Sequence, residues 1–442
     1  MKSPLAIHRE SLEPGGFYGW HMVVYASIAL AATGPGQTVG VSLFIDPLIA
    51  DLGVSRSSIS TAYMLGTLAG AFALPWIGRG IDRFGIRRSM LVIGFAFGGI
   101  LMAMSLINDI VGLTAGFVGI RMAGQGALGL VATTSVAMWF SRRRGLATGI
   151  VSAIGAIGIS STPLILEGYL LQHGWRTAWV VEGLAIWVIV LPLAFFGIRN
   201  KPSDLKQRPD GPTPKQHRDT HGAPTAQFLH EPHVSYTRAQ TLREPYFWLI
   251  ASAVALSGLL TTAVSFHQIS LLTSRGLTAA QAAANFIPQT VAGLAATLIT
   301  GYLMDRFAGR WMIVGSMLTL AGALWWGTHV SPGISAIAFG AMLGSAGSMI
   351  RAVEAAALPR YFGLQYIGSI RGLVAAISVG GTACGPLLFA TVFESTGTYN
   401  PALYISMFAP LALCGWAVFA REPGSRPKQH EGTSTKDGAS RP

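Results

Sequence analysis

The sequence predicts an all-α membrane protein of twelve transmembrane helices, arranged as two six-helix halves. Charged residues make up only 11% of the 442 residues, about half of the share in soluble domains, whereas hydrophobic residues reach 51%. Apolar runs of about 20 residues, the length that crosses the hydrocarbon core of a bilayer, recur along the chain. The motif Gly-x-x-x-Asp-Arg-Phe follows one such run in each half. These observations indicate that one membrane unit has been used twice.

Twelve apolar runs account for the predicted helices, and they are numbered here as spans 1 to 12. They lie at residues 20–44, 57–77, 89–107, 112–139, 145–167, 176–197, 246–272, 279–303, 311–328, 334–358, 371–393 and 400–420. The polar segment between spans 6 and 7 is rich in charge and proline and has no helical periodicity, which is typical of a flexible linker. The predicted domains are an N-terminal segment (1–16), two six-helix halves (17–198 and 243–420), a linker (199–242) and a tail (421–442).

The distribution of arginines predicts the orientation of the chain. With the N-terminus inside, the short inner loops hold eleven arginines and the outer loops hold three. Basic residues near helix ends accumulate on the cytoplasmic side, so both termini, the linker and the tail are predicted to be cytoplasmic. The net charge of +12 is explained by membrane insertion, and no nucleic-acid partner is expected.

No cofactor or metal is expected. Four linker histidines have spacings that resemble those of metal ligands: His217, His221, His230 and His233. Neither cysteine nor an ordered scaffold accompanies them, so solvated side chains are the favoured interpretation. Cys384 and Cys414 fall within predicted spans, which argues against a disulfide framework. The chain has no Gly-x-x-x-x-Gly-Lys-Ser/Thr motif for nucleotide hydrolysis. No cleavable signal peptide is expected, since residues 1–16 are polar and the first apolar run is too long for one.

The duplicated motif falls between spans 2 and 3 of the first half and at the equivalent place in the second. Its residues are Gly78, Asp82 and Arg83 in one copy, and Gly301, Asp305 and Arg306 in the other. The glycine is expected to let two helices approach closely. The aspartate is expected to cap a neighbouring helix or pair with arginine, which would latch a gate. A positively charged loop with an incidental ion pair is the alternative.

Residues 78–88 resemble the signature loop of the major facilitator superfamily, and the resemblance extends over residues 17–420. Residues 139–149 resemble the fifth-span signature of its monocarboxylate-porter family, and residues 15–20 resemble that family's other signature, with Pro14 where an acidic residue is usual. The family resemblance implies proton-linked transport of small carboxylates such as lactate or pyruvate, or exchange of carboxylates as in oxalate/formate relatives. The family resemblance also implies a lysine in the first span. This chain has no lysine from residue 3 to residue 200, so a bound carboxylate would need another cation.

Two charges on span 10 are the leading candidates for a substrate site. A charge near the middle of the bilayer costs several kcal/mol and is usually functional. Arg351 and Glu354 lie three residues apart on one helix face. The superfamily resemblance implies that spans 1, 4, 7 and 10 line a cavity, which would make Arg351 the carboxylate clamp and Glu354 the proton carrier. An internal ion pair with a structural role is the alternative.

Arg121 and His267 are further candidates on spans 4 and 7. Arg121 resembles the arginine of the superfamily's fourth-span motif, which implies a part in proton coupling or in helix packing. His267, next to Gln268 in the outer half of span 7, is a candidate for binding substrate or titrating. A structural histidine is the other interpretation.

Interrupted helices and neutral amides complete the predicted site. Pro35 and its neighbouring glycines break span 1 near the midplane, where Gln37 and Thr38 follow, and such breaks mark binding sites in transporters. Small polar residues at 257–262 occupy the equivalent part of span 7. Asn285 and Gln289 share a face of span 8 and are expected to supply neutral donors. Ordinary helix packing is the alternative for the glycines and threonines.

The expected function is secondary active transport of a small organic anion, a monocarboxylate, by proton symport and alternating access. Organic-anion exchange and proton-driven efflux of an amphipathic compound are the alternatives. A membrane sensor would need a signalling domain in the linker, and an enzyme would need a catalytic cluster that the sequence lacks. The protein is expected to be a monomer in the lipid bilayer. Arginine greatly exceeds lysine, which is typical of bacteria with high GC content, so the expected membrane is a bacterial inner membrane.

Overall fold

The twelve predicted spans form two helical bundles of six. The computed structural model describes residues 17–141, 143–210, 236–304, 306–363 and 366–423. Residues 1–16, much of the predicted linker, most of the tail, the four linker histidines and Asp305 lie outside the described residues. The described helices bear out the predicted fold class.

The N-terminal half contains spans 1 to 6. Their helices are Gly19–Ala31 and Thr38–Val41 (span 1), Arg56–Phe84 (span 2), Ile86–Met104 (span 3), Ile110–Ile120 and Gly129–Ala137 (span 4), and Arg144–Pro192 (spans 5 and 6). A short helix, Ile45–Leu52, follows span 1. Gly174 divides the last helix, because its φ of 78° and ψ of 167° are not helical. Glycine adopts this backbone conformation without the strain that a side chain would impose.

The C-terminal half contains spans 7 to 12. Their helices are Pro245–Thr273, Ala279–Ala284 with Phe286–Met304, Gly309–Gly327, Ile334–Phe362, Ile367–Thr396 and Asn400–Phe419. By length and composition, nine helices of the described residues can cross a membrane. Three further spans bring the total to twelve. Arg144–Gly197 is counted once but contains spans 5 and 6, and the interrupted span 1 is too short to be counted. Span 9, Gly309–Gly327, is not counted because Arg310 and its tryptophans lower its mean hydropathy.

Each half has its own apolar core, and large apolar side chains also cover the outside of the bundle. Trp139 and Trp179 are fully buried in the first core, whereas Phe72 and Val92 are 74% and 69% exposed. A soluble protein rarely exposes so much contiguous apolar surface. The outer surface is therefore suited to lipid.

Span 1 is interrupted at a place where two helices touch. A 3₁₀ turn, Gly34–Gly36, separates its two helices, and Gly36 lies against span 4. A Cβ at Gly36 would come within 2.6 Å of the Ile120 carbonyl oxygen, so only glycine fits there. The break lets Gln37 adopt an extended conformation before the helix resumes at Thr38.

The two halves meet along span 2 with span 11 and along span 5 with span 8. We call the side of the bundle that carries residues 198–210 and 236–244 the linker face, and the other side the opposite face. On the opposite face, the Ser57 backbone N–H donates to Glu394 Oε1 at 2.8 Å. Deeper in the interface, Ser160 bonds Thr290, and the rings of Tyr63 and Phe266 lie 4.5 Å apart.

Candidate substrate site

A cavity of about 1020 Å³ lies between the halves. Its walls come from spans 1, 5, 7, 8 and 10, and they include Gly145 and Leu146 at the linker-face end of span 5. The cavity therefore extends towards the linker face, whereas contacts between the halves close the opposite face. Spans 1, 7 and 10 line it as expected. Span 4 does not contribute to its lining, and spans 5 and 8 do.

Arg351 is the one charged side chain among the described residues that line the cavity. Its Nη2 donates to Ser348 Oγ, 3.2 Å away on the preceding turn of span 10. No ion pair joins Arg351 to Glu354 in the described residues, so the arrangement that was the structural alternative is not seen. The guanidinium therefore keeps most of its donors available to a ligand.

Glu354 lies one turn further along span 10 and is half-buried. It is not among the residues that line the cavity, and the positive charges of Arg371 and Arg351 act on it from two helices. Because no ion pair fixes the carboxyl group, it is not locked to Arg351. Arg351 therefore lines the cavity and Glu354 does not, although their spacing puts both on one face of span 10.

Gln37 and Thr38 line the cavity where span 1 resumes. The Gln37 amide Nε2 donates to Thr33 Oγ1 at 3.0 Å, and the Thr38 and Tyr63 hydroxyls are 2.5 Å apart. The interruption of span 1 therefore brings two polar side chains to the cavity wall, as predicted. Thr261 and Thr262 face them from span 7, also in the lining.

Arg121 lies behind this wall instead of in it. The side chain is 3% exposed, donates from Nε to Thr67 Oγ1 and from Nη1 to the Gly36 carbonyl oxygen, both at 3.1 Å, and stacks 4.6 Å from the Tyr63 ring centre. It begins a π-helical stretch, Arg121–Leu128, of the kind often found at functional sites. This geometry supports the break in span 1, and the predicted part of Arg121 in proton coupling stays a prediction.

His267 and Asn285 are buried away from the cavity lining. His267 is 1% exposed, and its Nε2 donates to the Pro386 carbonyl oxygen at 2.9 Å. Asn285 donates from Nδ2 to the Ala336 carbonyl oxygen at 2.6 Å. Both contacts join helices of the C-terminal half. The geometry favours the structural interpretation for His267, and substrate contact by either residue stays a prediction.

Gln289 lines the cavity from span 8, although Asn285 one turn earlier does not. Its Nε2 donates to Gln268 Oε1 at 2.5 Å. Gln268 is completely buried on span 7. Of the two amides that share this helix face, Gln289 lines the cavity and Asn285 contacts span 10, so substrate contact by Gln289 stays a prediction.

The described residues of the duplicated gate motif do not form a latch between helices. Nothing lies within 4 Å of a Cβ built at Gly78 or Gly301, so the close helix approach expected at these glycines is absent. Asp82 is exposed and has no hydrogen-bond or ion-pair partner among the described residues. Arg83 and Arg306 stack on rings of their own helices, those of Phe84 and Tyr302. The latch expected of Asp82 is therefore not formed, and Asp305 lies outside the described residues.

The closure of the opposite face was not predicted from the sequence. Arg56 of span 2 pairs with Asp46 and places its guanidinium 5.2 Å from the Phe393 ring centre of span 11. The neighbouring Glu394 accepts from the Ser57 backbone N–H and also faces the Ser55 hydroxyl, the side-chain cap of the same helix. An acidic side chain from one half thereby occupies a helix N-terminus of the other, where the unpaired N–H groups favour an anion.

The comparison with protein families agrees with this architecture. A sequence profile described as Major Facilitator Superfamily matches residues 22–292 and 271–440. The chain belongs to the Major Facilitator Superfamily. Its members are transporters, so the protein is a multi-pass membrane transporter and not an enzyme.

Several curated relatives match at low identity. An "Oxalate:formate antiporter" of Oxalobacter formigenes is 25% identical over 181 residues, which is 40% of this chain and 42% of that protein, so the match spans less than half of its length. A "Probable sulfoacetate transporter SauU" of Cupriavidus necator is 24% identical over 78% of this chain and 82% of its own. "Monocarboxylate transporter 1" of Bos taurus is 25% identical over 38% and 34%.

Among solved structures, the nucleoside transporter NupG (D323A mutant) superposes with a TM-score of 0.69 at 11% identity, covering 91% of this chain and 99% of that one. At this identity the likeness concerns the fold alone. The resemblance to the monocarboxylate-porter family that the motifs suggested is confirmed by the sequence relatives.

Proposed function

We propose that the protein is a secondary active transporter that carries a small monocarboxylate together with a proton by alternating access. The observation that carries the proposal is the cavity whose described lining holds a single charge, Arg351, which forms no ion pair with a carboxylate of the described residues. A guanidinium presents paired donors that match the two oxygens of a carboxylate. An unpaired cation in a membrane cavity is costly, and a bound anion offsets that cost.

The relatives support the substrate class. Proteins named for oxalate and formate, for sulfoacetate and for monocarboxylates all match this chain, and each of these compounds is a small organic anion. The first of them also favours exchange of two organic anions as the alternative mode of transport. Proton coupling is proposed for Glu354, which is close enough for Arg351 and Arg371 to act on it but is not tied up in an ion pair. Arg121 is the second candidate for coupling.

The setting proposed is a bacterial inner membrane, with the protein a monomer and the linker face in the cytoplasm. The arginines support this orientation, since Arg79, Arg83, Arg87 and Arg88 all lie on the linker face. In that orientation the cavity opens to the cytoplasm, and the contacts at Glu394 close the outer side. The gate motif would engage only after substrate release, when the linker face closes.

The test is uptake by reconstituted vesicles under an imposed pH gradient, across a series of small carboxylates. Wild-type protein is expected to accumulate some of them. Arg351→Gln is expected to weaken carboxylate binding by about 10- to 100-fold, the equivalent of a charge-assisted hydrogen bond of ~1.5–3 kcal/mol. Arg351→Lys should lose less, because the charge remains.

Arg243→Gln is the matched control, since Arg243 is exposed on the linker face and its side chain makes no hydrogen bond or ion pair in the described residues. Accumulation of no carboxylate, with efflux of lipophilic cations instead, would overturn the proposal. Carboxylate uptake that needs a counter-anion and ignores the pH gradient would favour exchange.

A further inference from the structure

The side-chain amides of Gln268 and Gln289 determine whether one side of the cavity offers a ligand a hydrogen-bond donor or an acceptor. Gln268 is fully buried and donates from Nε2 to the Ala282 carbonyl oxygen at 3.4 Å. Because a carbonyl oxygen only accepts, the Gln268 amide has one permitted orientation, with its nitrogen towards Ala282. Gln268 Oε1 is then directed at Gln289.

This orientation determines which end of Gln289 reaches the ligand. The Gln289 atom beside Gln268 Oε1 must be a donor, so it is Nε2, at 2.5 Å. A reversed Gln289 amide would place two oxygens against each other. Gln289 Oε1 is left without a partner among the described residues, on a side chain that lines the cavity. The cavity wall therefore contains a fixed acceptor with an unsatisfied lone pair.

Gln289 and Arg351 line the same cavity from two helices that pack together. Span 8 packs along span 10, with the Gln289 backbone against Gly344. The Arg351 guanidinium folds back along span 10, where Nη1 lies 3.6 Å from a Cβ built at Gly347. Gly344 and Gly347 are separated by three residues, about 4.5 Å of helix rise. The Gln289 backbone and the Arg351 guanidinium thus contact span 10 at positions about one helical turn apart.

We propose that Gln289 Oε1 accepts a hydrogen bond from a hydroxyl group of the substrate while Arg351 binds its carboxylate, so that the preferred substrates are small hydroxycarboxylates. Gln268 is a positioning residue, since it acts only through Gln289. When the cavity closes around its ligand, water leaves, and an acceptor without a donor then costs ~1–3 kcal/mol. Sites built to bind a hydroxyl reject the analogue that lacks it for this reason.

This inference rests on the proposed function and is tested with pairs of acids that differ by one hydroxyl group. The pairs are glycolate with acetate, lactate with propionate, and 3-hydroxybutyrate with butyrate, each measured as a competitor of uptake and as a direct ligand. We expect wild-type protein to prefer the hydroxy acid by about tenfold or more in at least one pair. Gln289→Leu should lower affinity for that hydroxy acid about tenfold more than it lowers affinity for the acid without the hydroxyl.

Gln268→Leu should reduce the preference without removing it, because Gln289 then rotates freely. Gln172→Leu is the matched control: Gln172 is exposed at the far end of span 5, where the same substitution should leave the preference unchanged. Cooperative thermal unfolding in detergent shows that each variant is folded.

Equal affinity for both members of every pair in wild-type protein would overturn the inference, whatever the variants do. A preference that survives in Gln289→Leu would also overturn it. In both cases carboxylate transport itself persists and the proposed function stands. If no carboxylate binds at all, the proposed function fails, and this inference fails with it.

Discussion

Replacing Glu394 should release the closure between the two halves on the opposite face. The Glu394 carboxylate of span 11 accepts from the Ser57 backbone N–H at 2.8 Å, at the N-terminus of the 29-residue helix of span 2. Glu394→Gln keeps the shape and one acceptor oxygen but removes the charge that interacts with the helix N-terminus. Glu394→Ala removes the contact altogether. Neither change touches the cavity lining.

The magnitude follows from the type of contact and its exposure. A hydrogen bond to a charged group contributes ~1.5–3 kcal/mol, and a charge at a helix N-terminus contributes ~0.3–1 kcal/mol. Glu394 is exposed, so solvent screening reduces the combined contribution below the sum of these ranges, to about 1 kcal/mol. That amount shifts an equilibrium about fivefold. We therefore expect Glu394→Ala to raise the population open on the opposite face about fivefold, and Glu394→Gln somewhat less.

Spin labels on the opposite face provide the assay. His173 of the N-terminal half and Ser331 of the C-terminal half are both exposed there, and each can be replaced by a labelled cysteine in a Cys384→Ser background. Pulsed electron-spin measurements in nanodiscs should show the longer-distance population growing in the Glu394 variants. Glu244→Gln, on the linker face, is the control. An unchanged distance distribution in Glu394→Ala would refute the reasoning, since the contact would then contribute nothing to closure.

Two further predictions concern the buried charges. Arg121→Leu should lower the unfolding temperature and impair transport. The Gly36 carbonyl oxygen and the Thr67 hydroxyl would each lose a hydrogen-bond donor, at a cost of ~1–3 kcal/mol each. The unfolding temperature of Arg121→Lys should lie between those of wild type and Arg121→Leu. Thermal unfolding in detergent measures this, and an unchanged midpoint in Arg121→Leu would contradict the supporting role. Glu354→Gln should preserve exchange of substrate across the membrane while removing the dependence of net uptake on the pH gradient. Exchange and net uptake are measured in vesicles with and without a pH gradient. If net uptake by Glu354→Gln still depended on the gradient, Glu354 would not be the coupling group.

The fold was predictable because membrane helices are specified locally. Each span needs only enough consecutive apolar residues, and the duplicated motif relates one half to the other. Arg351 could be singled out for the same reason, because a charge in an apolar run is conspicuous whatever surrounds it. Gln37 and Thr38 could be singled out through Pro35, which breaks the helix that carries them. The structure places all three in the cavity lining, and their contact with substrate stays a prediction.

Other features depend on how helices pack, and no local pattern encodes that. The face of span 5 that lines the cavity consists of small residues such as Gly149 and Ala153, which look like ordinary packing positions. Spacing placed Arg351 and Glu354 on one face, yet the Arg351 side chain turns back to Ser348 and the ion pair does not form. Glu394 and Ser57 are far apart in sequence, so their contact exists only after the halves assemble.

The contacts between the halves also bear on the energetics of a transport cycle. In the described residues, hydrogen bonds cross from one half to the other at two places, around Glu394 and between Ser160 and Thr290, and both described ion pairs stay within the N-terminal half. Little polar bonding must therefore be broken when the halves rock. Reversing a 1:99 equilibrium takes only about 5.5 kcal/mol of differential binding. The binding free energy of a ligand with a few heavy atoms is on that scale. Binding of such a small substrate is therefore sufficient to move the halves, because few hydrogen bonds join them.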